Sequence, residues 1–346
     1  VDGTSMGTVY SSPYQVSWPT TSNQDGQHTI EIIASDIAGN VSTSSIDVDV
    51  YNELPGANVP YPQSTTIMGI AWANRSTAIR TALGNDGWPI TWADNDNQYT
   101  AYNDGWGFNN EAPLKLSLGL AKIEGDPDSF NGVNIWSPTG EQLAGSGVYG
   151  KKASGMLMVD GVLYMWVRNA NLLGQESQLA WSIDHGETWE WSTWRFPEFG
   201  FCSFLNFGKN YAGARDDYVY AYTPNTPSAY YETDDVVLMR VPKQQITNRN
   251  AYEFFSGLDP FGNPLWTADI TLRAAVFTFP SGCNRQNVTY NTDLGRYLMT
   301  MRNWGRGGGT IHFSIYEAEE PWGPWETVYY TETYFGQPLG PPENSH

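Results

Sequence analysis

The sequence predicts an all-β protein dominated by a β-propeller, with a small N-terminal β-sandwich fragment. Three observations carry that expectation. The 346 residues include 35 Gly and 21 Pro, enough to punctuate the chain with tight turns throughout. They also include 15 Trp, 21 Tyr and 14 Phe in a chain only 16% charged, a composition suited to short half-buried strands. From about residue 64 onward, strand-like segments recur between turn signals with no helix of convincing length. Residues 244–255 allow at most one short helix.

The strands group into units of roughly 50 residues, as blades do. About five units are expected, centred on 88–104, 114–167, 178–223, 235–302 and a short 310–334. Ser182-Ile-Asp184-His-Gly186-Glu-Thr188-Trp189 matches the Asp-box pattern S-x-D-x-G-x-T-W, a β-turn found at the outer edge of propeller blades of the sialidase type. Its Asp184 and His185 are therefore expected to be structural. The short last unit is expected to be closed by residues 64–80 or cut short near His346; truncation is favoured, because Gly336 to His346 is Pro-rich with no strand after it.

Residues 1–53 differ in character. His28 to Ala34 and Ser45 to Tyr51 are strand-like, and Ala38-Gly-Asn40 supplies a turn, so a hairpin is expected. Asp25-Gly26 is a second turn signal. The pattern Asp25-Gly-x-His28 with Asp36-x-Ala-Gly-Asn40 resembles the C-terminal part of a bacterial immunoglobulin-like module, which implies a spacer beside a catalytic domain. Residues 54–63, with Pro55, Gly56, Pro60 and Pro62, read as a linker, leaving 64–346 as the propeller.

Charge excludes some functions. With 37 acidic and 18 basic residues and a formal charge of −19, binding nucleic acid through phosphate neutralisation is not expected. No apolar run is long enough to span a membrane as a helix. Cys202 and Cys283 are either one disulfide of an exported protein or two buried thiols. An exported, secreted or cell-surface bacterial protein, acting as a monomer, fits the composition.

The most informative segment for chemistry is Asp86 to Phe108. Folding it as a hairpin about Asn95 sets Asp86 opposite Asp104, which predicts two carboxylates side by side at the propeller mouth. Glycosidases use such a pair, one as general acid and one as nucleophile or base. Asp94 and Asp96 fall at the hairpin tip, where a structural Ca²⁺ is conceivable without EF-hand spacing; no other cofactor is expected. A second cluster, Tyr211, Arg215 and Asp216, precedes a strand and suits binding of sugar hydroxyls or a carboxylate. A third is Lys152 with Ser154, and Arg285 has a similar position before a later strand; this recurrence suits an acidic or sulfated saccharide. Trp106 is a candidate for stacking on a sugar face. His312 is a lone strand histidine, and Gly305 to Gly309 is a glycine loop with no helix after it.

Lys152-x-Ser-Gly155, Gln178 to Gly186, Asn206 to Tyr220, Val241-Pro-Lys243, Ala251 to Phe255 and Pro321-Trp-Gly-Pro-Trp325 together resemble the bacterial family DUF4185 over roughly residues 65–334. That resemblance implies a five-bladed propeller, and some relatives are endo-D-arabinanases using two Asp, to which Asp86 and Asp104 would correspond. The corner here reads Asn103-Asp-Gly-Trp106 where Gly-Asp-Thr is expected of the arabinanases, so the substrate is expected to differ. The sequence thus points to an exported polysaccharide-degrading glycoside hydrolase, with Asp104 as acid and Asp86 as nucleophile or base. Lys152, Ser154, Arg215, Asp216, Tyr211, Arg285 and Trp106 would bind the polysaccharide. A polysaccharide lyase, with Tyr211 or His312 as base and Arg215 neutralising a uronate, and a non-catalytic carbohydrate-binding propeller are the alternatives.

Overall fold

A computed structural model describes residues 1–20, 26–50, 59–73, 77–112, 114–143, 145–305, 311–334 and 337–338. At the N-terminus, β1 (Gly26–Ser35) pairs antiparallel with β2 (Val41–Val50) in unbroken register from Gly26↔Val50 to Ser35↔Val41. The connecting turn is held by the Asp36 carboxylate, which accepts the backbone N–H of Ala38 and of Asn40, each at 2.9 Å. The expected hairpin is present; Asp25 of the second turn signal lies outside the described residues.

Among the described residues, 90–331 build four successive antiparallel units. The first is β3 (Ile90–Trp92), β4 (Gln98–Gly105), β5 (Leu116–Glu124) and β6 (Asn131–Ile135). The second is β7 (Lys152–Val159), β8 (Val162–Arg168), β9 (Ser177–Ser182) and β10 (Glu190–Phe196). The third runs β11 (Ser203–Asn206), β12 (Tyr218–Pro224) and β13 (Thr233–Pro242), then β14 (Glu253–Leu258), β15 (Pro264–Thr267) and β16 (Ala275–Cys283). Here β14 and β16 share the outer edge of the long β13, one on each half. The fourth is β17 (Arg285–Asn291), β18 (Arg296–Asn303), β19 (His312–Ala318) and β20 (Glu326–Thr331).

The first strands of successive units lie beside one another: β3 by β7, β7 by β11, and β11 paired in parallel with β17. Parallel inner strands with antiparallel blades running outward define a propeller-type arrangement. Covered on both faces, β7 is buried at every residue, as an innermost strand must be. Blade faces pack on each other through apolar side chains. Leu118, Leu120, Met156 and Met165 fill the first interface, and Trp166, Phe196, Phe204 and Phe254 fill another.

Four units stand among the described residues where five were expected, and their phase is shifted. The segment read as a short fifth unit, 310–334, supplies β19 and β20, the outer half of the fourth. Turn signals mark every hairpin alike, so they locate strands without saying which strand begins a blade. The outer edge of the fourth unit is extended by the N-terminal side of the propeller: Gln63 bridges Thr327 in parallel, and Ser64 Oγ donates to Glu317 at 2.6 Å. Tyr61 packs on Phe277 and Tyr316. Residues 61–63, expected in the linker, therefore belong to the propeller edge; 54–58 lie outside the described residues. Two single turns of 3-10 helix, Lys243–Gln245 and Arg249–Ala251, replace the expected short helix, because Glu253 already begins β14. Both cysteines are free and buried, and burial pushes the Cys202 thiol up to about 12.

Candidate functional site

The hairpin β3–β4 turns about Asn95 in the expected register, with Ile90↔Thr100 and Trp92↔Gln98 opposed. Toward the open end the register slips by one. Pro89 has no N–H to donate, and its carbonyl accepts both Thr100 Oγ (2.8 Å) and the N–H of Ala101 (3.4 Å). Beyond it Asp86 and Asn103 exchange backbone bonds at 2.8 and 2.7 Å. Asp86 therefore lies opposite Asn103 and not opposite Asp104, because a one-residue slip changes every partner.

Asn103 is fully buried and ties the first blade to the second: its amide donates to Gly87 O and Ala153 O and accepts from Ala153 N at 2.9 Å. The next residue, Asp104, has φ 50, a left-handed conformation that Asp tolerates better than most side chains. The corner is closed by Gly105, where a Cβ would stand 1.8 Å from Asn85 Oδ1; Asn85 in turn accepts from Gly107 N at 2.7 Å. These constraints aim Asp104 at Lys152.

Lys152 opens β7 and is 1% exposed; its Nζ donates to Asp104 Oδ1 at 2.5 Å. Burial holds the Lys152 ammonium below its ordinary pKa, against the opposing pull of Asp104 and the further carboxylate Asp86, while Arg168 pushes it the same way as burial. Lys152 is thus within charge range of both predicted carboxylates. Directly across the β7–β8 pair stands Arg168, 2% exposed, with Nη1 donating to Tyr230 Oη at 3.1 Å. The same pattern recurs in the fourth unit, where Arg285 opposes Arg302 across β17–β18. The Arg168 and Arg285 guanidinium groups both lie over the Phe201 and Tyr230 rings, at 5.5–5.9 Å from the centroids. Arg302 covers Trp304 at 3.5 Å. Asp86, Asp104, Lys152 and Arg285 are thus gathered at one end of the blades.

Ser154 and Trp106 stand beside Lys152 and Asp104 in the chain but are packed into the blades, and Tyr211, Arg215 and Asp216 are not gathered there. Ser154 is a buried bulge residue, and its hydroxyl donates to Cys202 O at 2.7 Å, stitching β7 to the entry of β11. Trp106 packs with the cluster around Tyr102 and Phe108, with Lys115 Nζ 5.9 Å from its ring centroid. Arg215, Asp216 and Tyr211 lie at the opposite end. Their loop follows a first strand, whereas Asp104 and Arg168 close second strands, and up-and-down strands send those loops to opposite ends. Tyr211 is buried and donates to Tyr218 O at 3.0 Å. Arg215 pairs with Glu320, and Asp216 accepts from Tyr220 Oη at 2.6 Å. His312 is fully buried; its Nε2 donates to Gly282 O at 3.0 Å and Nδ1 accepts from Ser314 Oγ at 3.2 Å. Burial holds it down to about 4. Neither base named for a lyase, nor its Arg215, adjoins Asp104.

At that opposite end the hairpin tip is tied to other blades. Asp94 meets His185 Nε2 at 2.8 Å and Asp96 meets Lys209 Nζ at 2.5 Å. Among the described residues no three acid, His or Cys side chains converge as a metal site. The Asp-box turn sits between β9 and β10, with Asp184 accepting from Thr188 N (2.8 Å), Thr188 Oγ and Ser182 Oγ. Sequence reasoning missed Arg168 and Arg302. Arg168 is the last residue of β8 and Arg302 the last but one of β18, each just before an Asn, as Arg168-Asn169 and Arg302-Asn303; that recurring dipeptide was the available signal.

Residues 141–341 match the family described as a domain of unknown function, DUF4185, and the chain belongs to it. Residues 1–32 match the bacterial Ig domain. Among curated proteins none matches the chain. Similar solved structures include a GH43_1 enzyme from Xanthomonas citri, 13% identical, covering 73% of this chain and 76% of that chain, with a TM-score of 0.42. Another is the catalytic domain of the GH62 alpha-L-arabinofuranosidase of Coprinopsis cinerea, 10% identical, covering 81% and 76%, with a TM-score of 0.40. Among the described residues no helix is long and apolar enough to cross a membrane.

Proposed function

We propose that this chain cleaves a polysaccharide by glycoside hydrolysis, with Asp104 and Asp86 as the reacting carboxyl groups. The observation that carries the reading is the buried Lys152, which donates to Asp104 and lies within charge range of Asp86 at the same end of the blades. In this reading one carboxyl gives its proton to the glycosidic oxygen as the bond to C1 breaks. The other attacks C1, or takes the proton of a water that does so. Lys152 positions Asp104 by occupying one oxygen and leaving the second for substrate. We assign Asp104 as acid and Asp86 as nucleophile or base, and no cofactor is invoked. The bacterial Ig match at the N-terminus supports work outside the cell.

The test is release of reducing ends from a panel of arabinans and acidic polysaccharides, with Asp86→Ala and Asp104→Ala compared with and without azide. Loss of cleavage in both variants is expected, with a glycosyl azide of inverted configuration formed by Asp86→Ala. The same inverted product from Asp104→Ala instead would reverse the two roles. Full activity in either variant, binding without new ends, or products that absorb in the ultraviolet as unsaturated sugars do, would overturn hydrolysis by this pair.

A further inference from the structure

The geometry points to an anionic saccharide as the ligand of this end of the blades, its carboxylate or sulfate held by Arg168 with Arg285. The inference rests on the preceding reading for the position of the sugar chain, and it adds the substrate's charge. The chain is strongly acidic, with 18 cations against 37 acids. Even so, two pairs of cations face each other directly across neighbouring strands, Lys152↔Arg168 and Arg285↔Arg302. Like charges in directly opposed positions destabilise a sheet; Asp104 answers the charge of Lys152, which leaves the buried Arg168 opposite it as the cation that calls for an anion.

Arg168 makes the argument sharpest. It is almost wholly buried, and among the described residues no carboxylate pairs with it. Its Nη1 has only the neutral hydroxyl of Tyr230, and its Nε finds no partner. A guanidinium withdrawn from water without a counter-charge is costly, and the cost is relieved when an anion arrives. Arg168 and Arg285 rest on the same two rings, Phe201 and Tyr230, so their planar forks converge over one aromatic floor. Two such forks suit the flat carboxylate of a uronic acid or the oxygens of a sulfate ester. Asp104, held by Lys152 on the neighbouring blade, would then meet the glycosidic bond of a sugar anchored by its charge.

The experiment is calorimetric titration of the full chain with four probes: tetragalacturonate, a heparin-derived tetrasaccharide, arabinotetraose and xylotetraose. At least one anionic probe is expected to bind tenfold or more tightly than both neutral ones, and to weaken as salt rises from about 20 mM to about 200 mM. Preference between the two anionic probes separates a carboxylate from a sulfate. Arg168→Gln is expected to lose at least tenfold in affinity for that probe. If that buried change prevents folding, Arg285→Gln provides the same test, with a loss of fivefold or more; Lys209→Gln, at the other end, should change nothing. Neutral probes bound as well as anionic ones, or full affinity in the arginine variants, would overturn the inference. Cleavage of a neutral glycan that depends on Asp104, without anionic preference, would overturn it and leave the hydrolase reading standing. Tight anionic binding without cleavage of any glycan would do the reverse.

Discussion

The two ends of the blades use the same side chains in opposite ways. At the end carrying Asp94, Asp96 and the Asn206–Tyr218 loop, cations meet carboxylates, most of them from another strand or blade. Lys209 meets Asp96, His185 meets Asp94, Arg215 meets Glu320, and Arg240 meets Glu253. A cavity of about 330 Å³ there is lined by Arg215, Arg240 and Glu320, each already paired. At the end carrying Asp104, cation faces cation across both β7–β8 and β17–β18, and Lys152 is buried on a single carboxylate. The first arrangement pairs each of these cations with a carboxylate from a separate strand or turn. The second leaves the buried Arg168 with no carboxylate among the described residues, as sites that bind and react commonly do.

The largest effect expected from breaking this asymmetry is on cleavage. Asp104→Asn should lower the rate on the order of 10³-fold, while Asp96→Asn at the other end leaves it within about twofold. A reducing-end assay of both variants on one glycan decides this, and equal losses would erase the distinction. Next is stability. Asp104→Ala strands the buried Lys152 ammonium and should cost about 3 kcal/mol in urea unfolding. Asn103→Ala, which leaves Ala153 N–H and two carbonyls without their partner, should cost about 2–3 kcal/mol. Asp184→Ala, in the Asp-box turn, should cost about 1 kcal/mol and spare activity.

The two histidines sharpen the contrast through pH. His312 is buried and neutral, held down to about 4, so the unfolded chain binds its proton first. Its contribution is complete above about pH 6.5 and falls away as pH drops toward 4, a loss on the order of 3 kcal/mol. His312→Gln should flatten that part of the stability profile, and an unchanged slope would contradict the buried neutral ring. The smallest effect is expected at the exposed Asp94–His185 pair. The hydrogen bond from His185 holds the Asp94 carboxyl below its usual range, so its contribution is present above about pH 4 and is lost as pH falls further. Asp94→Asn should move the melting midpoint at pH 7 by no more than about a degree, because water screens the pair.

Much of this was legible along the chain. The β class, the two-strand hairpin about Asp36, the register of β3 on β4 near Asn95, and the Asp-box all follow from local turn chemistry and alternation. Lys152 and Arg285 stood out because cations are scarce and both precede an inner strand. Other features were not legible. The one-residue slip at Pro89 depends on which carbonyl Thr100 and Ala101 find, and it moves Asp86 from Asp104 to Asn103. Arg215 and Asp216 look as suited to a sugar as Arg285 does, and only strand direction sends them to the far end.

What this sequence determined by itself was the set of strands, because turns and two-residue alternation act between neighbours a few residues apart. Blade grouping, the pairing of Lys152 with Asp104 and the facing of Arg168 to Lys152 were decided by tertiary structure. Each joins segments whose meeting depends on which strands share an edge and which end of a blade they reach. No pattern within a single segment encodes that, because the hydrogen bonds that settle it lie between segments.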